Sequence, residues 1–264
     1  MKQLTGLFIV SLLLLNSCGS VPLTGRKQVV LVSDQDVLSS SLTQYSNFMK
    51  EATLSTNKAQ TDKVVRVGKN IAAATEAYMK ANGLEAEIKN FAWEFNYVKS
   101  EDINAFCMPG GKIVVYEGIM PFATTDDELA AVLGHEVAHA VAKHANERMS
   151  QQMLTQYGGA ILGQAVSGAS TTVQNLAGTV YGLGTELGIM LPYSRKHEYE
   201  ADHMGLIFMA MAGYNPQAAI TFWTKMAQGK TSSVPEFLST HPSDVNRVAE
   251  LQKYLPDALR YYKK

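Results

Sequence analysis

A short stretch of the sequence carries two histidines and a glutamate at a spacing that suits a metal ion. In LGHEVAHAVAKHA, residues 133–145, His135 and His139 are four positions apart, and Glu136 follows the first of them. On a helix of 3.6 residues per turn, positions four apart differ by about 40° in direction, so both imidazoles project from one face. Two such imidazoles can bind one Zn²⁺, and Glu136 stands where a carboxylate can take a proton from water. The stretch therefore predicts a hydrolytic zinc site.

The surroundings of the two histidines indicate a buried helix. Burying two imidazoles and the carboxylate of Glu136 without partners would cost several kcal/mol. A bound zinc ion removes that cost, so we favour a metal site over a pair of surface or packed histidines. The apolar residues that indicate burial are Leu129, Val132, Leu133, Val137 and Ala138.

A catalytic zinc site needs a third protein ligand and a fourth position for water. The pattern HExxHxxGxxH is excluded, because residues 142 and 145 are both alanine. His144 would lie about 140° around the helix from His139, so it cannot share the same ion. We interpret His144 as a solvated or packing residue.

A carboxylate from a later helix is the other source of a third ligand. The stretch SRKHEYEADHMG, residues 194–205, places Glu198 and Asp202 on one helix face, whereas Glu200 points nearly opposite to Glu198. We predict that Glu198 binds zinc and that Asp202 accepts a hydrogen bond from the other ring nitrogen of a ligating histidine, most simply His135. The competing interpretation is an exposed acidic face, and Glu200 is the next candidate ligand.

Three motifs in this order resemble those of a known peptidase family. HEVAH, SRxxExxAD and STHPSDVNR resemble metallopeptidase family 48, the group of CAAX prenyl endopeptidase and HtpX-like zinc peptidases. The similarity extends from about Pro22 to Leu251. The segment VPLTGRKQVVLVS further resembles the bacterial periplasmic lipoprotein members of that family.

The resemblance implies an α+β, mostly helical gluzincin fold with a small sheet whose edge strand binds substrate in extended form. NAFCMPGGKIVVYEG, residues 104–118, matches that edge segment, so Asn104 and Ala105 are candidate substrate contacts. His241 and Arg247 match family residues close to the active site. Either can stabilise the oxyanion, and His241 can instead cover the metal in a latent state. The alternative for both is a capped helix start with a surface ion pair.

These residues together predict hydrolysis of peptide bonds. Zinc, one ion per chain, polarises the scissile carbonyl and lowers the pKa of a water, while Glu136 takes a proton and hands it to the leaving amine. The expected substrates are polypeptides, in particular unfolded or outer-membrane proteins. Two other functions stay open: a chaperone-like lipoprotein with a latent metal site, and a structural zinc site, which four protein ligands would normally close.

Local patterns supply the elements that must position these residues. A capping box at 125–128 begins the helix that carries His135. Alternating aromatic residues and a Pro-Gly-Gly turn predict a small sheet that precedes it. In chain order, we expect helices over 33–53 and 58–83, strands around 91–97 and on both sides of 109–111, a helix from 125, a helix over 194–212, and a helical remainder with a break at 241–242.

The composition fits one globular domain. Of the 264 residues, 46% are apolar and 18% are charged, and the formal net charge is -1. Such a chain can bury a substantial core. Its basic residues form no stripe that would follow a phosphate backbone, so nucleic acid is not an expected partner.

The N-terminus resembles a bacterial secretion signal. Its apolar run is too short to span a bilayer, and LNSC places Cys18 where a lipobox cysteine carries lipid. We expect a signal peptide over 1–17, a lipidated N-terminus and tether over 18–32, and a metallopeptidase domain over 33–264. The alternative is a cleaved signal with a disulfide between Cys18 and Cys107; otherwise Cys107 is a packing thiol.

A lipidated chain is expected in the bacterial cell envelope, attached to a membrane through its lipid. Gly19 after Cys18 is not an acidic retention signal, which favours the outer membrane, facing the periplasm, over the inner membrane. The glycine-rich segment 158–191 is interpreted as two packed or mobile helices over the site. A second membrane segment is the alternative.

Overall fold

The computed structural model describes residues 18–162, 194–228, 237, 241 and 246–263, with the backbone alone for Cys18 and for 154–162. The expected signal peptide and most of the segment 158–191 lie outside these residues. The lipidation of Cys18 and the domain boundaries stay predictions.

Helices make up most of the described chain. A short 3₁₀ turn lies at Glu117–Ile119. The helices are α1 Asp34–Glu51, α2 Lys58–Ala81, α3 Glu85–Ile88, α4 Asp126–Val141, α5 His144–Leu162, α6 Arg195–Met211, α7 Gln217–Gln228 and α8 Arg247–Leu259.

Three helices begin where the sequence predicts a helix start, and each start has a side-chain cap. The side chains of Ser33 and Ser194 each accept a hydrogen bond from a backbone N–H three residues later. Thr125 and Glu128 form both hydrogen bonds of the capping box at the start of α4. Because these caps fix the first turn, they set the direction in which later side chains of α4 and α6 project.

Two small sheets accompany the helices. The strands are β1 Cys18–Ser20, β2 Lys27–Val29, β3 Glu94–Val98, β4 Ala105–Met108 and β5 Lys112–Tyr116. β1 and β2 form an antiparallel hairpin, while β5 lies between a parallel β3 and an antiparallel β4. Gly110 and Gly111 turn the chain between β4 and β5 with φ of 91° and 82°, which glycine adopts readily. β4 is therefore an edge strand of the three-stranded sheet.

Helix α4 lies at the centre of the core. All its side chains from Glu128 to Val141 are buried, as in a helix that is enclosed on every side. It contacts α2, α6, α7 and β4, and α8 packs against α6 and α7. The predicted zinc motif thus lies on a helix that is buried along most of its length.

Two glycines allow α4 and α6 to cross in close contact. A Cβ on Gly134 would lie 2.8 Å from the carbonyl oxygen of Gly205, and a Cβ on Gly205 would lie 2.8 Å from the backbone nitrogen of His135. Any larger residue would push the helices apart, because interiors are close-packed. The crossing brings the histidines of α4 to the carboxylates of α6.

The predicted α+β, mostly helical architecture with a small sheet is confirmed. The N-terminal stretch differs from the expected tether. Residues 18–29 form a hairpin in which Val21 and Gln28 are buried, because Val21 joins the main apolar core. Among the described helices, none combines the length and apolar character needed to cross a membrane.

Candidate metal centre

Two helices bring the predicted site residues together. His135, Glu136 and His139 project from α4, Glu198 and Asp202 project from α6, and all five side chains are buried. The four-residue spacing places each pair on one helix face, as the sequence predicts. The distance between the two faces is set by the close helix crossing, which no local pattern reveals.

Four ligand atoms converge on one point. Nε2 of His135 lies 3.0 Å from Nε2 of His139 and 3.3 Å from Nδ1 of His241. Oε2 of Glu198 lies 3.4 Å from Nε2 of His135, and Oε1 of Glu198 lies 3.3 Å from Nε2 of His139 and 3.2 Å from Nδ1 of His241. All four residues offer a ligand atom within 4.8 Å of the others.

These separations fit a zinc ion. Bonds of about 2.05 Å in a tetrahedron place neighbouring ligand atoms about 3.3 Å apart. The five separations given above, which involve both oxygens of Glu198, range from 3.0 to 3.4 Å. Imidazole nitrogens and a carboxylate oxygen are also ligands that zinc prefers. The residues present therefore fit the metal, and His241 lies where a fourth ligand would be.

Asp202 supports His135 on the side away from the cluster. Its Oδ1 lies 2.9 Å from Nδ1 of His135, and Arg247 donates two hydrogen bonds of 2.8 Å to its carboxylate. Burial opposes protonation of His135, but its hydrogen bonds with Asp202 and Glu198 outweigh burial and raise its pKa to about 9. A metal ion must therefore displace a proton from this ring.

His139 has a support that the sequence analysis missed. Its Nδ1 lies 2.9 Å from Nδ1 of His144, and Nε2 of His144 lies 3.0 Å from Oε2 of Glu200. His144 is buried, so of the two interpretations a solvated residue is wrong and a packing residue is confirmed. The 140° estimate assumed one continuous helix, whereas α4 ends at Val141 and the chain turns at Lys143, where φ is 55°.

The surroundings of His139 and Glu198 favour the forms of these two side chains that bind zinc. Burial lowers the pKa of His139 well below its usual value, which keeps the ring neutral. Burial opposes ionisation of Glu198, but the charges of His241 and Arg247 hold the pKa of Glu198 well below its usual value. A neutral imidazole and an ionised carboxylate are the forms in which these side chains ligate metals.

Glu136 lies beside the ligand atoms. Its Oε2 accepts a hydrogen bond of 3.1 Å from the backbone N–H of Cys107. Its Oε1 is buried, has no hydrogen-bond partner within the described part of the chain, and lies 3.5 Å from Nε2 of His241. Burial raises the pKa of Glu136. A buried carboxylate with a raised pKa and one available oxygen suits proton transfer.

Cys107 is a free, buried thiol. The alternative of a disulfide with Cys18 is therefore wrong. Burial raises the pKa of the Cys107 thiol well above its usual value, which keeps it protonated and unreactive. This agrees with the interpretation of Cys107 as a packing residue.

His241 and Arg247 lie inside the cluster and are each 1% exposed. Nη1 of Arg247 lies 3.1 Å from Oε2 of Glu198, and its guanidinium group lies 3.3 Å from the centre of the Trp223 ring. The alternative of a surface ion pair at a helix start is therefore wrong. Both residues contact the predicted ligands, as the resemblance implies.

The predicted substrate contacts adjoin the site but are covered. Asn104 and Ala105 are 3% and 0% exposed. The carbonyl of Ile103 accepts a hydrogen bond of 3.0 Å from the N–H of Phe237, whose own carbonyl accepts one of 2.8 Å from the N–H of His241. The role of Asn104 and Ala105 in substrate binding stays a prediction.

Comparison with known proteins assigns the chain to a family. Residues 60–255 match the sequence profile of Peptidase family M48. The chain belongs to peptidase family M48. This confirms the resemblance read from the three motifs and the α+β metallopeptidase fold. The catalytic, ligand and substrate-binding roles of individual residues stay predictions.

Several M48 relatives are named metalloendopeptidases. Mitochondrial metalloendopeptidase OMA1 of Schizosaccharomyces pombe is 38% identical over 173 residues, 65% of this chain and 49% of that protein. Metalloendopeptidase OMA1 of Homo sapiens is 32% identical over 249 residues, 90% of this chain and 46% of that protein. The Beta-barrel assembly-enhancing protease of Escherichia coli is 32% identical over 166 residues, 60% of this chain and 33% of that protein. The chain thus spans between about a third and a half of the length of these relatives.

Proposed function

We propose that this M48 chain is a zinc-dependent endopeptidase of the bacterial cell envelope that cleaves extended or misfolded polypeptides. The observation that carries the proposal is the convergence of His135, His139 and Glu198 beside the carboxylate of Glu136. Three protein ligands and a neighbouring carboxylate that can act as a base are typical of hydrolytic zinc sites.

The roles of the residues follow from their positions. His135, His139 and Glu198 would hold the ion, which when bound supplies a Lewis acid for the scissile carbonyl and makes water more acidic. Glu136 takes the proton of the attacking water, and its raised pKa helps it deliver that proton to the leaving amine. The N–H of Cys107 fixes one oxygen of Glu136, so the other oxygen stays available for this transfer.

His241 covers the site in the arrangement described above. Its Nδ1 lies 3.2 Å from Glu198 and 3.3 Å from His135, at the place that water and substrate need. The site then has four protein ligands, the closed form of a zinc centre. Access to the site requires the His241 ring to move away, and the backbone hydrogen bonds from Phe237 N–H to Ile103 and from His241 N–H to Phe237 link the backbone of His241 to the start of β4. We assign His241 to this covering role rather than to the oxyanion.

Arg247 supports the ligands. Its guanidinium group donates two hydrogen bonds to Asp202 and pairs with Glu198. A planar, permanently charged group held in this way orders both carboxylates at once. Nη1, the guanidinium nitrogen that does not bind Asp202, lies beside the predicted ligand Glu198, so we assign Arg247 to positioning.

The edge strand β4 is the surface that an extended peptide would join. Among the described strands, β4 pairs with β5 and with no other. Movement of Phe237 away from Ile103 would uncover the start of this edge, at Asn104 and Ala105. Recognition through backbone hydrogen bonds favours unfolded or extended substrates over folded ones.

The envelope location and the lipid anchor rest on the N-terminal sequence. Cys18 follows Leu-Asn-Ser after a short apolar run. One relative is named a Beta-barrel assembly-enhancing protease, which supports outer-membrane proteins as substrates. Mass spectrometry of the mature N-terminus tests the anchor: lipid on Cys18 supports it, and an unmodified Cys18 or cleavage at another bond contradicts it.

Cleavage of casein and of a misfolded envelope protein tests the enzymatic proposal. We expect the zinc-loaded chain to cleave both and a chelator to abolish cleavage. Glu136→Gln should keep one zinc per chain and lose cleavage, so robust proteolysis by this variant would exclude Glu136 as the base. The chaperone-like alternative would be supported if the zinc-loaded wild type and zinc-loaded His241→Ala both bound casein and neither cleaved it.

A further inference from the structure

A series of close contacts links Arg26 to the predicted ligand His139. Nε of Arg26 donates a hydrogen bond of 2.6 Å to Oε2 of Glu200, and the same oxygen lies 3.0 Å from Nε2 of His144. Nδ1 of His144 then lies 2.9 Å from Nδ1 of His139. His139 and His144 are buried, and the side chains of Arg26 and Glu200 are 14% and 6% exposed. The series therefore runs from the N-terminal hairpin to the metal site through the interior.

The order of the groups fixes the tautomers of both rings. A carboxylate paired with an arginine only accepts hydrogen bonds, so Nε2 of His144 carries its proton and Nδ1 presents a lone pair. Nδ1 of His139 then donates to His144, which leaves the lone pair of His139 on Nε2. That nitrogen faces His135 and Glu198 at 3.0 and 3.3 Å. The series thus prepares His139 to bind a metal through Nε2.

The other predicted histidine ligand has a support of the same kind. His135 contacts Asp202 through Nδ1, and Asp202 is held by two hydrogen bonds from Arg247. Both ligands therefore connect through their Nδ1 atoms to a carboxylate that an arginine holds. Groups behind a metal ligand fix its orientation and raise its affinity for the metal.

The loop between β1 and β2 holds both oxygens of Glu200. The hydroxyl of Thr24 donates a hydrogen bond of 2.5 Å to Oε1, while Arg26 binds Oε2. Arg26 also donates two hydrogen bonds, of 2.9 and 2.7 Å, to Glu147 on α5. Buried Val21 and the strand pairing anchor the two ends of this loop.

We propose that Thr24 and Arg26 are positioning residues of the metal centre, which hold Glu200 and, through His144, orient the ligand His139. This proposal rests on the proposed zinc site. It makes the N-terminal loop, which the sequence places in a tether, a component of the centre. Without the loop, Glu200 loses two of the partners that fix its carboxylate, so its contact with His144 is no longer held in place and His139 can turn its Nε2 away from the other ligands.

Zinc affinity of the purified full chain tests the proposal. The variants are Arg26→Gln and the shape-conserving Thr24→Val, and the control is Arg66→Gln, which breaks an exposed ion pair with Asp126. The Zn²⁺ dissociation constant is measured by competition with a chromophoric chelator, and the visible spectrum of the Co²⁺-substituted protein reports the ligand geometry. Circular dichroism at the same temperature verifies that each variant is folded.

We expect Arg26→Gln to weaken zinc binding by roughly 10- to 100-fold and Thr24→Val to weaken it by a smaller factor. Both should shift the Co²⁺ bands, whereas Arg66→Gln should match the wild type. A lower melting temperature with unchanged zinc affinity and an unchanged Co²⁺ spectrum would show a merely structural role and overturn the proposal. If Arg26→Gln does not fold, Thr24→Val decides alone. Failure of the wild-type chain to bind zinc would instead refute the proposed function.

Discussion

Gly134 and Gly205 face each other at the crossing of α4 and α6, where a Cβ on either glycine would lie 2.8 Å from a backbone atom of the other helix. Gly134 immediately precedes His135, and Gly205 follows Asp202 by three residues. The separation of the histidines from the carboxylates is therefore set by the absence of two side chains. This relationship ties the packing of the core directly to the geometry of the metal site.

Gly205→Ala should damage both stability and metal binding. The added methyl group meets the backbone at His135, so the helices must separate by a few tenths of an ångström or more. Overpacking of this kind typically lowers the free energy of unfolding by about 1–3 kcal/mol. Urea unfolding and zinc titration measure the two effects. The control is Gly19→Ala, whose Cβ would meet Gln28 at an ordinary 3.5 Å. Wild-type zinc affinity in Gly205→Ala would show that the crossing does not set the site geometry.

Glu198→Ala should abolish stoichiometric zinc binding, while Asp202→Asn should weaken it by roughly 10- to 100-fold. Glu198 faces both histidine nitrogens, whereas Asp202 acts through Nδ1 of His135. Metal analysis after dialysis against a weak chelator separates the two effects. If the zinc content of Glu198→Ala equalled that of the wild type, Glu198 would not be a zinc ligand. Glu200 is a poor replacement, because His144 and Arg26 occupy its carboxylate.

His241→Ala should increase peptidase activity. If the form covered by His241 is more stable than the open form by about 1.4 kcal/mol, roughly one molecule in ten is open at any time. Removing the His241 ring should then raise the rate of cleavage about tenfold. Three predicted ligands remain, so zinc content should stay at one per chain. Initial rates on casein, normalised to bound zinc, measure the effect. Loss of activity in a folded, zinc-loaded His241→Ala chain would instead assign His241 to the oxyanion.

The parts of the fold that the sequence predicts are those with local causes. Ser33, Thr125 and Ser194 cap their helices through bonds to residues three positions away. The spacing of His135 and His139, and that of Glu198 and Asp202, fixes which side chains share a face. Such features depend on one turn of helix, so a single sequence is sufficient to find them.

The features that the sequence analysis missed depend on distant contacts. His144 turns towards His139 because the chain breaks at Lys143, whose side chain pairs with Asp34 and Glu87 from two other helices. The docking of Arg26 depends on partners 121 and 174 residues away. Strands of three residues give too short a pattern to reveal the hairpin that presents Arg26. The network around His139 is therefore visible only after the chain has folded.

Glu147→Gln should remove part of the acid sensitivity of the fold. Burial opposes ionisation of Glu147, but hydrogen bonds from His197 and Arg26 outweigh it and lower the pKa from 4.5 to about 2. A carboxyl group whose pKa is lower in the folded state stabilises the fold above its unfolded pKa, and this contribution is lost as the pH falls from 4.5 towards 2. For Glu147 the contribution is at most roughly 3 kcal/mol.

Urea unfolding of the metal-free proteins between pH 7 and pH 2 measures this effect. The free energy of unfolding of Glu147→Gln should lie below that of the wild type at pH 7, and the difference should shrink towards zero as the pH approaches 2. The control is Glu250→Gln, which removes an exposed pair with Lys253 and should follow the wild-type curve. A difference for Glu147→Gln that stays constant over this range would show that the charge of Glu147 is not the source of its contribution. In that case the loss of stability would come from hydrogen bonds that glutamine cannot make, because its side chain has one acceptor oxygen where glutamate has two.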